Sequence, residues 1–308
     1  MSDPEELCAR AAEMAGEDPE SAYGMFQEAA SAGHPNGIFG MAEMKMSGRG
    51  TERDPEGAER LYEVAADAGH PPSMYRLGML WAGAMEHPED PSRAADWFRR
   101  AAEAGFPPAY PEIAGILLYG YGTEADPAGA LGWYRRAADA GDPLSMFKAG
   151  YMLSEGIGCE RDEAEAVRMF RMSAASGVPE AMLKMSELCS SGKADGGKAA
   201  AYNWCRSAAD AGFVPARMRL ATMLYQGEGV ARDLSAAFRM YQSLMDEDPD
   251  AMFMVGRMIF EGLGTEKDEV RGFELLSRAA AAGSQIALQL VQDIRRRQNT
   301  QLIRIDGT

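Results

Sequence analysis

Residues 65–69, Ala-Ala-Asp-Ala-Gly, decide the fold of this chain, because the pattern Ala-Ala-x-x-Gly recurs along most of its length. The recurrences end at seven glycines, called here the anchor glycines: Gly33, Gly69, Gly105, Gly141, Gly177, Gly212 and Gly283. Successive intervals between them are 36, 36, 36, 36, 35 and 71 residues, and the last spans two repeats, one of them degenerate near Glu247. Such a period predicts an architecture in which each repeat packs on its neighbours.

Each repeat is predicted to contain two helices. A second glycine, such as Gly120, lies 14 or 15 residues after the anchor and is placed to end the first helix, where a residue with positive φ is favoured. An aspartate 15 residues before the next anchor, as in Asp54-Pro55, is an N-cap signal for the second helix. Small residues 11 before the anchor, such as Ala130, and bulky ones 8 and 7 before it predict where the second helix packs.

The residues that carry the repeat resemble the Sel1-like repeat family, relatives of the tetratricopeptide repeat. They include Ala65 to Gly69, Leu77-Gly78 and Tyr119-Gly120-Tyr121-Gly122. The resemblance implies an all-α, right-handed α-solenoid of about seven to eight two-helix repeats of 35–36 residues, acting as a scaffold or adaptor. We expect an N-terminal capping helix at 1–17, the solenoid at 18–283, a C-terminal capping helix at 284–298 and a tail at 299–308. The tail is expected to be either a mobile extension or a docked strand.

Composition and charge exclude several classes of partner. The chain has 31 Lys and Arg against 47 Asp and Glu, a formal charge of -16. That charge repels phosphate backbones and anionic lipids, so nucleic acid and membrane surfaces are not expected as partners. The first residues form no basic or apolar signal region and no apolar run has the length of a membrane span, so we expect a cytoplasmic protein.

The sequence carries no recognisable catalytic, metal-binding or cofactor-binding motif, so we predict a protein that is not an enzyme. The histidines His34, His70 and His87 are interpreted as turn residues, and the Gly-x-Gly pairs as helix ends rather than phosphate loops. Some members of the resembled family interact with β-lactams and staple each repeat with a cysteine pair. The four cysteines here form no such pairs, which disfavours this hydrolase-like alternative. A purely structural subunit of a larger assembly is the other alternative.

The candidate binding surface lies on the first helices. Counting from the anchor glycine, positions 4, 5, 8, 11 and 12 are mostly apolar and are predicted to face the core. Positions 6, 7, 10 and 13 lie on the opposite side, which by likeness to tetratricopeptide solenoids is the concave face. The candidate partner-binding residues on that side are Tyr75, Arg76, Phe147, Lys148, Tyr151, Lys184, Arg219, Phe253 and Arg257.

Aromatic and cationic residues side by side suit an acidic or amphipathic peptide, or a protein carrying such a segment. The alternative for the same residues is structural. In that interpretation position 6 packs against a neighbouring helix and position 7 is solvated.

Overall fold

The structure of the chain, a computed structural model, describes residues 3–84 and 89–306. These residues form seventeen α-helices and contain no strand, which confirms the all-α prediction. His87, interpreted above as a turn residue, lies outside the described residues. Contacts divide the chain into an N-terminal unit, Met1–Ala166, and a C-terminal unit, Val167–Thr308, which are described separately.

The helices follow one another with short connections. The N-terminal unit contains α1 (Pro4–Met14), α2 (Pro19–Ser31), α3 (Pro35–Ser47), α4 (Pro55–Asp67), α5 (Pro71–Trp81), α6 (Pro91–Glu103), α7 (Ala109–Tyr119), α8 (Pro127–Asp139) and α9 (Pro143–Glu155). The boundary between the units falls within α10 (Glu163–Ala175). The C-terminal unit continues with α11 (Pro179–Ser190), α12 (Gly197–Asp210), α13 (Val214–Gln226), α14 (Leu234–Gln242), α15 (Pro249–Glu261), α16 (Glu269–Ala281) and α17 (Gln285–Asp306).

Consecutive helices pack on one another from α1 to α9 in the N-terminal unit and from α11 to α17 in the C-terminal unit. Odd-numbered helices are the first helices of the repeats and even-numbered helices are the second. This pattern is that of an α-solenoid of about eight repeats, as the period predicts.

The second helices begin where the aspartates predict. A carboxylate oxygen of Asp126 accepts the backbone N–H of Gly129 at 2.9 Å, which satisfies a donor left free at the start of α8. Proline at the next position cannot donate a hydrogen bond and is already set to a helical φ. The same cap is made by Asp18, Asp54, Asp90, Asp162, Asp233 and Asp268.

The Gly-x-Gly pairs are turns that also set the distance between repeats. Gly120 ends α7 in the left-handed conformation, with φ of 73°. Gly122, with φ of 70°, lies so close to the first residue of α6 that a Cβ atom would meet the Pro91 carbonyl carbon at 2.2 Å. The predicted interpretation as helix ends is therefore confirmed, and the second glycine has an additional role in packing.

The core lies between the first and second helices. The bulky residue seven before the anchor is fully or almost fully buried in most repeats, as with Tyr62, Phe98 and Tyr134. Small residues at position 9 of the first helices accommodate it: a Cβ atom on Gly78 would lie 2.8 Å from the Phe98 ring. Position 9 is a core position that the sequence prediction omitted.

The two ends of the chain differ from the expected caps. Helix α1 packs on both α2 and α3, so it serves as the first helix of a repeat. His34 and His70 are the N-cap residues of α3 and α5. The backbone of α17 is helical to Asp306, so residues 299–306 continue this helix and do not form a strand.

Candidate interaction surface on the first helices

Positions 6, 7, 10 and 13 of the first helices form what we call the first-helix face. In the N-terminal unit, Lys148 and Tyr151 of α9 are exposed on this face, whereas Tyr75, Arg76 and Phe147 are half-buried. In the C-terminal unit, Lys184, Arg219 and Arg257 are half-buried. Phe253 is only 6% exposed, so the prediction that it contributes accessible surface is wrong.

Position 6 is a packing position. The ring of Tyr75 lies 5.5 Å from the ring of Phe98 on α6 and 5.5 Å from that of Phe106, just after the next anchor glycine. Phe39 makes the same two contacts one repeat earlier, with Tyr62 at 5.8 Å and His70 at 5.1 Å. Aromatic rings at these separations attract one another and exclude water. The aromatic residue at position 6 therefore joins the first helix to the second helix of its own repeat.

The cation at position 7 of α5 is already paired. Arg76 donates to a carboxylate oxygen of Glu43 on α3 at 2.7 Å, and the hydroxyl of Tyr62 donates to the other oxygen at 2.5 Å. Glu43 occupies position 10 of the preceding repeat, so this pair links neighbouring first helices. Because both charged side chains are about one-third exposed, at 38% and 33%, the pair contributes roughly 0–1 kcal/mol.

Lys148 has a different environment on α9. Its ammonium group lies 5.2 Å from the ring centroid of Tyr134 on α8, within cation–π range. It also lies near Glu112, at position 7 of α7. Burial raises the pKa of the Glu112 carboxyl, and the charge of Lys148 partly opposes that rise. Burial likewise raises the pKa of Tyr134 to about 12.

The cations of the C-terminal unit also have carboxylate partners. Arg219 lies 2.7 Å from Glu228, Lys184 lies 3.4 Å from Glu187, and Arg257 lies 3.0 Å from Glu261. The hydrogen bond that Arg257 donates to Glu261 raises the pKa of Arg257. The first-helix face therefore has mixed charge in each unit, because cations at positions 7 and 10 lie beside carboxylates.

Two cavities open between successive repeats of the N-terminal unit. The first, of about 660 Å³, lies between α1 and α3 over Phe26. The second, of about 270 Å³, lies between α5, α6 and α7 over Phe98. They are equivalent, because each is bounded by positions 7 and 11 of the later first helix and by the bulky residue of the earlier second helix.

Exposed tyrosines lie on α7, on α9 and in the turn after α7, and one of them, Tyr121, lines the second cavity. Tyr119, the last residue of α7, and Tyr121 are 67% and 62% exposed, and their ring centroids lie 5.8 Å apart. Tyr151 on α9 is 50% exposed. Large exposed aromatic rings are characteristic of residues that anchor protein partners. The sequence prediction included Tyr151 but missed the other two, because Tyr119 at the end of α7 and Tyr121 in the following turn lie outside positions 6, 7, 10 and 13.

The described residues show no arrangement suited to a metal ion: no three His, Cys, Asp or Glu side chains come together in a group that could hold one. The four cysteines are free thiols. Cys8 lies 3.7 Å from Nδ1 of His34, but burial raises the pKa of its thiol, which disfavours the reactive thiolate.

Comparison with known proteins matches this architecture to one family. The model of the Sel1 repeat matches residues 9–34, 35–70, 71–106, 112–142, 143–178, 179–213, 214–244 and 249–284. The chain belongs to the Sel1 repeat family. The eight matched segments coincide with the eight helix pairs, and the first of them begins inside α1.

Two solved structures share the fold of this Sel1 repeat protein. A Sel1 repeat protein from Oxalobacter formigenes superimposes with a TM-score of 0.69 and 23% identity, covering 95% of this chain and 88% of that one. A protective antigen of uropathogenic Escherichia coli with an SLR fold gives a TM-score of 0.64 and 20% identity, covering 96% of this chain and 73% of that one. At these identities the similarity establishes the fold alone.

Membership of the family sets the general class of function. Sel1 repeat proteins generally mediate protein–protein interactions, and their fold is typically non-catalytic. No helix in residues 3–84 and 89–306 combines the length and the apolar composition needed to cross a membrane.

Proposed function

We propose that this Sel1 repeat protein is a non-catalytic cytoplasmic scaffold that binds an amphipathic segment of a partner protein along the concave face of its first helices. The observation that carries the proposal is the pair of equivalent cavities between repeats of the N-terminal unit. Each opens on the first-helix face and is of a size to receive side chains of a bound segment. Free cysteines fit a reducing compartment.

The charges on the first-helix face favour an amphipathic segment over a purely acidic one. An acidic segment would have to compete for Arg76 with Glu43, and for Arg219 with Glu228. Displacing the carboxylate already present exchanges one partly exposed ion pair for another, so the exchange gains little free energy. A segment with apolar anchors and charges of both signs meets no such cost.

The test is a comparison of two double variants. Lys148→Glu with Tyr151→Ser changes the two exposed candidate residues on the first-helix face. Arg135→Glu with Val64→Ser makes matched changes at exposed positions on second helices. Because all four residues lie outside the core, both double variants should melt within a few degrees of the parent.

We expect the parent and the second-helix double variant to capture the same partner from native cells. The first-helix double variant should lose the partner, because it lacks the exposed ring and reverses the charge beside it. Calorimetry with the purified partner should then show at least tenfold weaker binding. Equal binding by both double variants would contradict the proposal and direct attention to the second helices or the ends.

A further inference from the structure

The cavity between α5, α6 and α7 combines apolar walls with two carboxylates and no cation among its described lining residues. Its walls include Trp81 at the end of α5, Phe98 on α6, and Ile116 and Tyr121 on and after α7. Two carboxylates, Glu112 and Glu89, are the charged groups among its described lining residues. At about 270 Å³ it is smaller than a typical small-molecule site and of a size for one long side chain.

No lysine or arginine is among the described residues that line the cavity, although two cations lie near it. The guanidinium of Arg93 stacks 4.3 Å from the centroid of the Trp81 ring, and Arg93 does not line the cavity. Lys148 lies over Tyr134 and interacts with Glu112 from the side of α9. Glu112 is itself exposed, so its carboxylate can be reached by a bound cation.

We propose that this cavity receives a basic side chain, arginine or lysine, of the partner segment. The methylene stem would pack on Ile116 and Phe98, and the cationic head would meet Glu112, the arrangement that long basic side chains adopt at partly apolar surfaces. The net charge of -16 favours the approach of a basic group over that of an acidic one. This inference rests on the proposed function and names one side chain of the bound segment.

The equivalent cavity over Phe26 provides an internal contrast. There position 7 is Gly40 instead of a glutamate. The nearby Glu43 already accepts hydrogen bonds from Arg76 and Tyr62. The first cavity is also lined by Glu5 and Arg49, one charge of each sign. The second cavity has carboxylates and no cation among its described lining residues, so it is the better match for a bound cation.

The experiment uses two small probes on the full chain, Nα-acetyl-arginine amide and its neutral isostere Nα-acetyl-citrulline amide. Binding is followed by the NMR cross-peak of the Trp81 indole N–H, which the variant Trp81→Phe identifies. We expect the arginine probe to shift this peak saturably and the citrulline probe to bind at least tenfold more weakly.

Two variants assign the difference to one carboxylate. Glu112→Gln should remove the preference for arginine. Glu124→Gln, which removes the same charge from an exposed turn position in the same repeat, should retain it. Because Glu112 is exposed, the amide variant should melt within a few degrees of the parent.

Equal shifts with both probes, no shift with either, or an unchanged arginine preference in Glu112→Gln would overturn the inference. Failure of the proposed function looks different: the arginine probe would bind, but capture of the partner would not depend on Lys148 and Tyr151. If capture depends on those two residues but the protein shows no preference between the probes, the proposed function is supported. Only the inference that the cavity binds a basic side chain is then contradicted.

Discussion

Three of the four thiols, those of Cys8, Cys189 and Cys205, are buried, and burial raises the pKa of each. The pKa of Cys205 rises to about 11, and its thiol also donates to the carbonyl oxygen of Ala216. Cys159, in the turn after α9, is only half-buried. Because the thiolate is the reactive species, these environments predict unequal reactivity.

We expect one thiol per chain to react rapidly with Ellman's reagent at pH 8 in the native protein. Cys159→Ser should remove that fast phase, and denaturant should expose all the remaining thiols. Cys205 should be the slowest of the buried thiols, because it is fully buried and its thiolate is the least accessible at this pH. If a thiol of the folded Cys159→Ser protein still reacts rapidly, one of the buried cysteines is more accessible to the reagent than the structure indicates.

At the level of single residues, the sequence predicted which side of a helix a residue occupies better than what it contacts there. Counting from the anchor glycine placed Arg76 on the first-helix face, and it lies there half-buried. Its partner Glu43 could not be read from the same helix, because the pair joins residues 33 apart in different repeats. Phe253 shows the other limit, since helical periodicity gives a direction but no depth.

Glu112 was missed for a different reason. It occupies position 7 of its repeat, as Arg76 and Lys148 do in theirs. The sequence prediction was based on the cations at this position, and Glu112 carries the opposite charge. Reading the row with both signs would have shown the alternation of charge in the N-terminal unit.

At the level of elements, the chemistry of helix ends made the boundaries predictable. Aspartate followed by proline marks the start of α4, α6 and α8, and glycine marks the end of α7 and α9, as the structure has them. Such caps act locally, so they can be read from a few residues. The length of α17 could not be read in this way, because no cap follows the arginines at its predicted end.

Two substitutions of glycine by alanine should change the stability of the fold in opposite directions. One is at the second glycine of a Gly-x-Gly pair, and the other is on an exposed helix face. Gly122→Ala should destabilise the fold. Its positive φ alone costs about 1–2 kcal/mol for a residue with a Cβ, and the contact with Pro91 adds to that. Gly132→Ala, in the middle of the exposed face of α8 with no atom within 4 Å of its Cβ, should stabilise by about 0.5–1 kcal/mol.

Urea denaturation of the two glycine variants measures both effects. The same denaturant slope with midpoints displaced in opposite directions is the expected result. If Gly122→Ala is as stable as the parent, the close approach between the turn and α6 does not set the spacing of the repeats.

At the level of the whole molecule, the contacts within each unit are made between helices that are near one another in the chain. Stability in such an arrangement is approximately a sum over repeats and their interfaces, and distant repeats affect one another weakly. The small residues 11 before the anchors are buried, Ala130 with no exposed surface, and we expect them to lie at those interfaces. A larger side chain there should therefore disturb its own surroundings first.

Ala130→Leu should cost about 1–3 kcal/mol, because the added carbons have no space in a packed interface. Hydrogen exchange read by mass spectrometry should locate the loss of protection in peptides of the N-terminal unit, with the C-terminal unit much less affected. Ala128→Leu, at an exposed position of the same helix, is the matched control and should leave the exchange of both units unchanged. Equal loss of protection in both units after Ala130→Leu would mean that the chain opens as one cooperative block. A partner bound along the first helices would then be released by damage anywhere in the chain, whereas local opening confines that effect to the repeats that carry the binding surface.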